Sequence, residues 1–304
     1  MIAILQNLID AISLGSLYAL TALGVGLLFG VMRLINFAHA SFITIGAYSL
    51  IVPSTNAVAT LAIGSWHWTA MTTAVVAIVM VLAVATELIV FRPLRRADPA
   101  TLLVGSFALA YALQYVILLV YDGRPKAVDI GSGLNEPLLI GTLRIPRLEV
   151  LTIAVTVTLI VALALFLKRT RYGIQIRAAA EDFRMARLLG VGANRVIAIA
   201  FALSGLLAAA VSLLFLSRTG MVAPRMGLPL VLIAFVATVI GGMGSLVGAA
   251  VGGFAVGFVS VVLQVVLPLE LRQFRDGFVY LLVIAVLLWR PAGLIQVRAI
   301  KERV

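Results

Sequence analysis

The apolar residues of this chain form uninterrupted blocks of about 20 residues, the length of a helix that crosses a bilayer. The block from Thr69 to Phe91, for example, contains a single charged residue, Glu87. A barrel strand would instead alternate apolar and polar residues over about ten positions. Backbone groups inside lipid must bond within their own segment, so these blocks must be helices. The pattern predicts an all-α, polytopic integral membrane protein with about 7–9 transmembrane or re-entrant helices in one domain spanning residues 1–304.

Composition supports this class and excludes others. Charged residues make up 12% of the chain, against about 25% in a soluble domain, and the mean hydropathy is +1.17. The formal charge of +11 fits basic cytoplasmic loops better than nucleic-acid binding, since no basic patch is interleaved with aromatic residues. With no Cys and two His, neither a disulfide nor a Cys- or His-based metal site is expected.

The distribution of Lys and Arg predicts the orientation. The connection 168–195 carries seven basic residues against Glu181 and Asp182, and it is placed in the cytoplasm with loop 92–99 and the C-terminal tail from Arg290. The near-neutral loop 122–148 is placed outside. Segments near 42–52 and 228–240 are short for full spans and could be re-entrant. The side of the N-terminus stays open.

One segment within the basic connection, Ala178 to Gly190, is predicted to form a single amphipathic helix. Its residues are strong helix formers, its acids Glu181 and Asp182 fall in the first turn and its arginines follow, which matches the helix dipole. A glycine then ends the helix. Two interpretations stay open: a solvated loop along the lipid headgroups, or a docking surface for a partner that supplies energy.

Two polar or glycine-rich interruptions are candidates for a solute path. Arg33 to Ser41 separates two apolar blocks, and its Asn36 and His39 could bond a solute or brace a broken backbone. Gly241 to Ser245 is too rich in glycine for a simple helix and is predicted to be a turn buried in protein or lining a cavity. The later glycines Gly248, Gly252 and Gly253 are expected to allow close helix packing.

No pattern of catalytic residues is present. The chain has no zinc-protease, serine-hydrolase or P-loop motif, so it is not expected to be an enzyme or to hydrolyse ATP itself. A secondary transporter or channel would require ionisable groups deep within its spans. Asp10 and Glu87 both lie close to block ends, which makes that class the less favoured alternative.

Five short sequences, taken in order, resemble the branched-chain amino acid ABC transporter permeases of the LivH type. They are Leu14–Leu20, Ile35–His39, Arg177–Asp182 with Leu188–Gly190, Gly241–Ser245 with Gly248–Ala249, and Arg290–Leu294. The chain departs from that family at Ala40, where a glycine is usual. Its 177–190 segment is a loose version of the Glu-Ala-Ala motif of importer permeases.

The resemblance implies an importer of leucine, isoleucine and valine in the bacterial inner membrane, with the C-terminus cytoplasmic and lipid around the spans. Its partners would be a second permease of the LivM type, two ATPases of the LivG/LivF type that bind the ATP, and an extracytoplasmic binding protein. The chain itself would hold no cofactor. Urea, short amides or another small solute remain alternative cargoes.

Two sets of residues are candidates for roles in such an importer, the first from the resemblance and the second from the two interruptions described above. The residues expected to couple to the ATPases are Ala179, Ala180, Glu181, Asp182, Arg184, Arg187, Leu189 and Gly190. The residues expected along the translocation path are Asn36, Phe37, His39, Ser41, Gly241, Gly242, Gly244 and Ser245.

Overall fold

A computed structural model describes residues 2–33, 35–54, 56–95, 97–140, 143–290 and 293–295. The α-helices are α1 (Ile2–Met32), α2 (His39–Tyr48), α3 (Trp68–Thr86), α4 (Arg92–Leu94), α5 (Pro99–Tyr121), α6 (Arg147–Arg169), α7 (Arg171–Glu181), α8 (Phe183–Leu188), α9 (Ala193–Thr219), α10 (Gly227–Gly241), α11 (Leu246–Val266) and α12 (Arg275–Trp289). A π-helical segment, Glu87–Phe91, joins α3 to α4. Most of the C-terminal tail, and Pro291 and Ala292 of the motif at 290–294, lie outside the described residues.

Six of these helices, α3 and α4 counting as one, are long and apolar enough to cross a membrane. They are Ile4–Met32, Trp68–Leu94, Pro99–Tyr121, Arg147–Arg169, Ala193–Thr219 and Leu246–Val266. The two segments expected to be short are indeed short helices, α2 with 10 residues and α10 with 15. The prediction of an all-α, polytopic membrane protein is confirmed.

The connections gather at two opposite ends of the helical bundle. At one end, called here the basic end, α7 contacts the C-terminal part of α1 and lies beside the turn 243–247. At the other, the sheet end, β1 (Lys126–Ala127) pairs with β4 (Met221–Val222) and β2 (Pro137–Ile140) pairs with β3 (Leu143–Pro146). Gln6 donates a hydrogen bond to the carbonyl of Arg144 over 2.9 Å, so the N-terminus lies at the sheet end.

Helix α1 is the centre of the packing, and glycines let other helices approach its backbone. A Cβ at Gly253 of α11 would lie 2.4 Å from the Cα of Ala19, and one at Gly257 would lie 2.2 Å from the Cα of Gly15. Gly252 faces the other way, against the carbonyl of Ala237 in α10. Missing side chains therefore allow α11 to contact α1 and α10 at backbone distance, which is how small residues hold helices together in lipid.

The two halves of the bundle repeat one arrangement in opposite directions. Helix α1 runs from the sheet end to the basic end, α2 runs from the middle of the bundle back to the sheet end, and α3 runs from the sheet end to the basic end. Helices α9, α10 and α11 follow the same course in the opposite direction, beginning at the basic end. The contacts follow this relation, because α1 packs on α11 and α10, and α9 packs on α3 and α2. This is an inverted repeat, an arrangement in which transporters form solute sites near the bilayer midplane.

We predict that Gly253→Ala destabilises the protein, because its methyl group would collide with the backbone of Ala19. Overpacking of this kind costs about 1–3 kcal/mol. The measurement is thermal unfolding of the full chain in lipid nanodiscs. Gly277→Ala in α12 is the matched control, since nothing lies within 4 Å of its added Cβ. Equal unfolding temperatures for the two variants would contradict this account of α1 packing.

Candidate translocation path and coupling surface

The break between α1 and α2 is held by side chains that bond its exposed backbone. The Asn36 Oδ1 atom accepts a hydrogen bond from the N–H of Ala38 over 3.0 Å. Ser106, from α5, donates to the carbonyl of Ile35 over 3.2 Å and lies 3.4 Å from the N–H of Phe37. Ser41 donates to the carbonyl of Ala110 over 3.1 Å. The polar residues of this segment therefore brace a broken helix inside the bundle, as unpaired backbone groups at membrane depth require.

Phe37, in the break between α1 and α2, makes aromatic contacts with two other helices. Its ring stacks on Phe107 with centroids 4.0 Å apart and lies 6.3 Å from the ring of Phe235 in α10. Phe37 thus joins α5, α10 and the break into one packed unit.

His39 begins α2 and is fully buried. Ser204 of α9 lies 3.0 Å from both the carbonyl of Gly24 and the Nδ1 atom of His39. A carbonyl can only accept, so the hydroxyl proton goes to Gly24 and the His39 Nδ1 atom carries the proton that it donates to Ser204. The ring rests against α1, where a Cβ at Gly24 would lie 2.6 Å from Nε2.

The N-terminal ends of α2 and α10 meet in the interior. The N–H of Gly227, at the start of α10, donates to the Thr44 hydroxyl over 3.2 Å, and its Cα packs against the carbonyl of Ala40. From this junction α2 runs toward the sheet end and α10 toward the basic end. The structure thus brings Asn36, Phe37, His39 and Ser41 to a junction of two half-helices, where the N-terminal dipoles favour negative charge.

The four path candidates from α10 onward form its C-terminal end and the turn that follows. Gly241 ends α10 against the carbonyl of Gly248, and Gly242 and Gly244 have φ of +109° and +90°. The Ser245 hydroxyl then caps α11 by accepting from the N–H of Gly248 over 3.0 Å. The predicted non-helical turn is therefore present, and glycine is needed where φ is positive.

The coupling segment is two helices rather than the single helix predicted over 178–190. Asp182 adopts an extended conformation between α7 and α8, and its carboxylate accepts from the N–H groups of Arg184 and Met185 over 2.8 and 2.9 Å. The single-helix prediction was wrong because Asp182 acts as an N-cap and starts a second helix. Glu181 consequently ends α7, Arg187 lies in the last turn of α8, and Gly190 follows with φ of +86°.

Exposure divides the coupling candidates. Leu188 and Leu189 are 76% and 84% exposed, and Met185 beside them is also exposed. Glu181, Asp182, Arg184, Arg187 and Gly190 are exposed as well, whereas Ala180 is half-buried and Ala179 is buried against the bundle. The outward apolar surface made by Met185, Leu188 and Leu189 is named here the α8 surface.

A cavity of about 350 Å³ at the basic end brings together members of both predicted sets. Ala180 and Glu181 of α7 line it on one side, and Gly244 and Ser245 line it on the other. The C-terminal turn of α1, around Gly30, also lines it. A displacement of α7 would therefore change the shape of a cavity that borders the turn after α10.

The sequence shows Glu87 only as an acid near the end of an apolar block, with no role assigned to it. The carboxylate is fully buried and accepts from Arg92 over 3.2 Å and from Arg95 at close range. Arg95 also donates to Asn194, at the start of α9, over 2.5 Å. This cluster ties the ends of α3 and α9 together at the basic end. The only sequence signal was the acid followed by Arg92 and Arg95, and nothing in the sequence pointed to Asn194.

The fold and these features define a polytopic membrane permease, with half-helices meeting inside an inverted repeat and a helical surface projecting at one end. A family model described as branched-chain amino acid transport system, permease component, matches residues 7–287. The chain belongs to this family, whose members are the permease components of ABC importers. The resemblance seen in the sequence is therefore confirmed.

Curated relatives cover almost the whole chain. The high-affinity branched-chain amino acid transport system permease protein BraD of Pseudomonas aeruginosa is 31% identical over 296 residues, which is 96% of this chain and 95% of that protein. The corresponding LivH protein of Escherichia coli K12 is 29% identical over 300 residues, with the same coverage. The autoinducer 2 import system permease protein LsrC of Klebsiella pneumoniae is 33% identical over 167 residues, 53% of this chain and 46% of that protein. No solved structure matches.

We predict that Ser204→Ala weakens the contact between α2, α9 and α1. The variant leaves the buried Nδ1 proton of His39 without an acceptor, at a cost of about 1–3 kcal/mol. The measurement is thermal unfolding of the full chain in nanodiscs. Ser260→Ala is the matched control, because Ser260 is also buried and its hydroxyl bonds, among the described residues, only the carbonyl of Val256 in its own helix. A larger loss in the control than in Ser204→Ala would contradict this role of Ser204.

Proposed function

We propose that this chain is a permease subunit of an ATP-driven importer that carries leucine, isoleucine and valine across the bacterial inner membrane. The observation that carries the proposal is the identity of 31% with BraD over 96% of the chain. The LivH relatives, named for the same cargo, add to it.

The partners in this proposal are a second permease of the LivM type, two ATPases of the LivG/LivF type and an extracytoplasmic binding protein. The sequence has no P-loop, so an importer built on it requires ATPase subunits from elsewhere. The exposed α8 surface supports their docking, because clustered exposed apolar side chains mark interaction sites.

The basic end faces the cytoplasm in this proposal. Arg171, Arg177, Arg184, Arg187 and Arg195 all lie in or beside α7 and α8, and short basic connections stay on the cytoplasmic side. The sheet end, with the near-neutral loop 122–148, then faces the binding protein. Because α12 begins at the sheet end and runs toward the basic end, the C-terminal tail is cytoplasmic.

Coupling follows from the position of α7 between the ATPases and the bundle. ATP-driven closure of the ATPases moves α8, and α7 transmits that movement to the cavity lined by Glu181, Gly244 and Ser245. The turn 242–245 and the half-helix α10 respond next. The path alternates between outward- and inward-facing states as the two repeats move against each other.

The test of cargo is uptake by the assembled importer in proteoliposomes. The chain is co-expressed with its candidate partners, purified as a complex and supplied with binding protein and internal ATP or a non-hydrolysable analogue. We expect ATP-dependent uptake of labelled leucine that excess isoleucine or valine blocks and excess urea or acetamide does not. Uptake of urea or acetamide without leucine uptake would assign the chain to another cargo, and leucine uptake without ATP would contradict the importer class.

We predict that Leu188→Asp separates the permease from its ATPases, since it places a charge in the α8 surface. Loss of an interface anchor reduces affinity about tenfold or more. Leu269→Asp is the matched control, because Leu269 is 79% exposed but lies in the 3₁₀ turn at the sheet end. The measurement is co-purification of ATPase subunits and leucine uptake. Normal ATPase recovery with Leu188→Asp, or equal loss with Leu269→Asp, would place the docking surface elsewhere.

A further inference from the structure

A second cavity, of about 510 Å³, lies at the sheet end among α1, α6, α9, α11 and α12. It is far more polar than its surroundings. Its polar lining consists of Asn7, Asp10, Glu149, Arg218, Gln264 and Arg275, with Thr219 and Tyr18 beside them. Its apolar lining includes Leu14, Leu17, Phe215 and Val261. The cavity is the size of a typical small-molecule site.

The carboxyl groups of Asp10 and Glu149 lie beside each other in this cavity. Glu149 is only 9% exposed, and its Oε2 atom has no hydrogen-bond partner among the described residues. The Asp10 carboxyl group lies within hydrogen-bonding range of Glu149, and the charge of Arg218 acts on the same group. In the described part of the chain, neither Asp10 nor Glu149 forms an ion pair within 4 Å.

The guanidinium group of Arg218 is incompletely used. Among described residues, Arg218 makes one side-chain hydrogen bond, a long one of 3.4 Å to the Ser13 hydroxyl. Arg275 is already partnered, because its Nε and Nη2 atoms donate to Asp276 over 3.0 and 2.9 Å and its Nη1 atom donates to Gln264 over 3.3 Å. Both arginines line this cavity. The cavity thus contains two acids and one arginine, Arg218, that form no ion pair within 4 Å in the part of the chain that the structure describes.

Charged groups within a membrane bundle are costly, and those that face a cavity commonly mark a solute or ion path. This cavity opens at the sheet end, where Arg218 and Gln264 are exposed, and no catalytic or metal-binding pattern accounts for it. A ligand that carries one positive and one negative group would complete the pairing on both sides. A neutral solute such as urea would leave both sets of charges unpaired.

We propose that this cavity binds a zwitterionic α-amino acid with an apolar side chain, received at the sheet end. The ligand carboxylate pairs with Arg218, which can form bidentate hydrogen bonds to it, and the guanidinium group of Arg275 lines the same cavity. The ligand ammonium group pairs with Asp10 and Glu149. The aliphatic side chain lies along Leu14, Leu17, Phe215 and Val261. The assignment of cargo class rests on the proposed function, but the site itself is argued from the charges that the bundle encloses.

The first test measures ligand chemistry on the unmodified protein. Labelled L-leucine is bound to the full chain in nanodiscs, without binding protein, and three competitors are compared: leucine, leucinamide, which lacks the carboxylate, and 4-methylpentanoate, which lacks the ammonium group. We expect leucine to compete at least about tenfold better than either analogue, because each analogue leaves one charged pair unmade. Equal competition by an analogue, or no saturable leucine binding, would overturn the proposal.

The second test assigns the two charges to residues. Arg218→Gln should erase the preference for leucine over leucinamide, and Glu149→Gln should erase the preference for leucine over 4-methylpentanoate. Arg218→Lys keeps the charge without the bidentate geometry and should retain part of the preference, which separates recognition from folding. The matched controls are Arg272→Gln and Glu136→Gln. Both are exposed residues at the sheet end and outside the cavity, and they should leave every preference unchanged.

Uptake by the assembled importer separates failure of the site from failure of the proposed function. Normal leucine uptake with Arg218→Gln and Glu149→Gln would overturn the site and leave the cargo assignment intact. An importer that carries urea or acetamide and not leucine would overturn the cargo assignment, and the absence of leucine binding in the first test would then overturn the site as well. Reduced uptake together with the altered analogue preference would support both.

Discussion

The structure depends on satisfying backbone groups where its helices break inside the membrane-spanning bundle. Lipid offers these groups no hydrogen bonds, so each break must bring its own partners. Asn36 and Ser106 bond the backbone before α2, and Thr44 bonds the first N–H of α10. At the other end of α10, the N–H groups of Leu294 and Ile295 donate to the carbonyls of Ile240 and Gly241 over 2.7 and 3.1 Å. These bonds permit the half-helices on which the inverted repeat is built.

The structure also requires helix backbones to approach closely, and glycines allow this because they have no side chain. Gly253 and Gly257 seat α11 on α1, and Gly205 of α9 makes the corresponding contact with Val79 and Ala83 of α3. The inverted repeat relates the contact between α1 and α11 to the contact between α9 and α3. The half-helices α2 and α10 lie between these two helix pairs. The proposed alternating access would move one repeat against the other, with these glycine-packed helix pairs beside the discontinuous helices.

Sequence alone predicted the helical class, the short segments, the two interruptions and the glycine turn, because each depends on local composition. It also gave the family, because the motifs occur in order along the chain. It did not give the division of the coupling segment, since the same carboxylate that suits the first turn of one helix also suits the cap of the next. Nor did it give the contacts of His39 with Ser204, or of Arg95 with Asn194, because these pairs are distant in sequence and ordinary in composition.

The polar cavity at the sheet end shows why such sites escape sequence reasoning. Asp10 and Glu149 each lie near the start of a hydrophobic block, where a charged residue is unremarkable in membrane proteins. Arg218 and Arg275 lie at block ends for the same apparent reason. Only the antiparallel packing of α1 and α9 brings Asp10 and Arg218 to one depth. The meaning of these charges therefore depends on the fold as a whole.

The bonds from Leu294 and Ile295 to the end of α10 set an order of assembly. During synthesis α10 enters the membrane well before the chain segment that completes it has been made. Until nearly the whole protein has been translated, the last carbonyls of α10 must accept hydrogen bonds from water or from the insertion machinery. These hydrogen bonds therefore form late in biogenesis. A protein shortened before Gly293 would lack the N–H groups that bond the last carbonyls of α10.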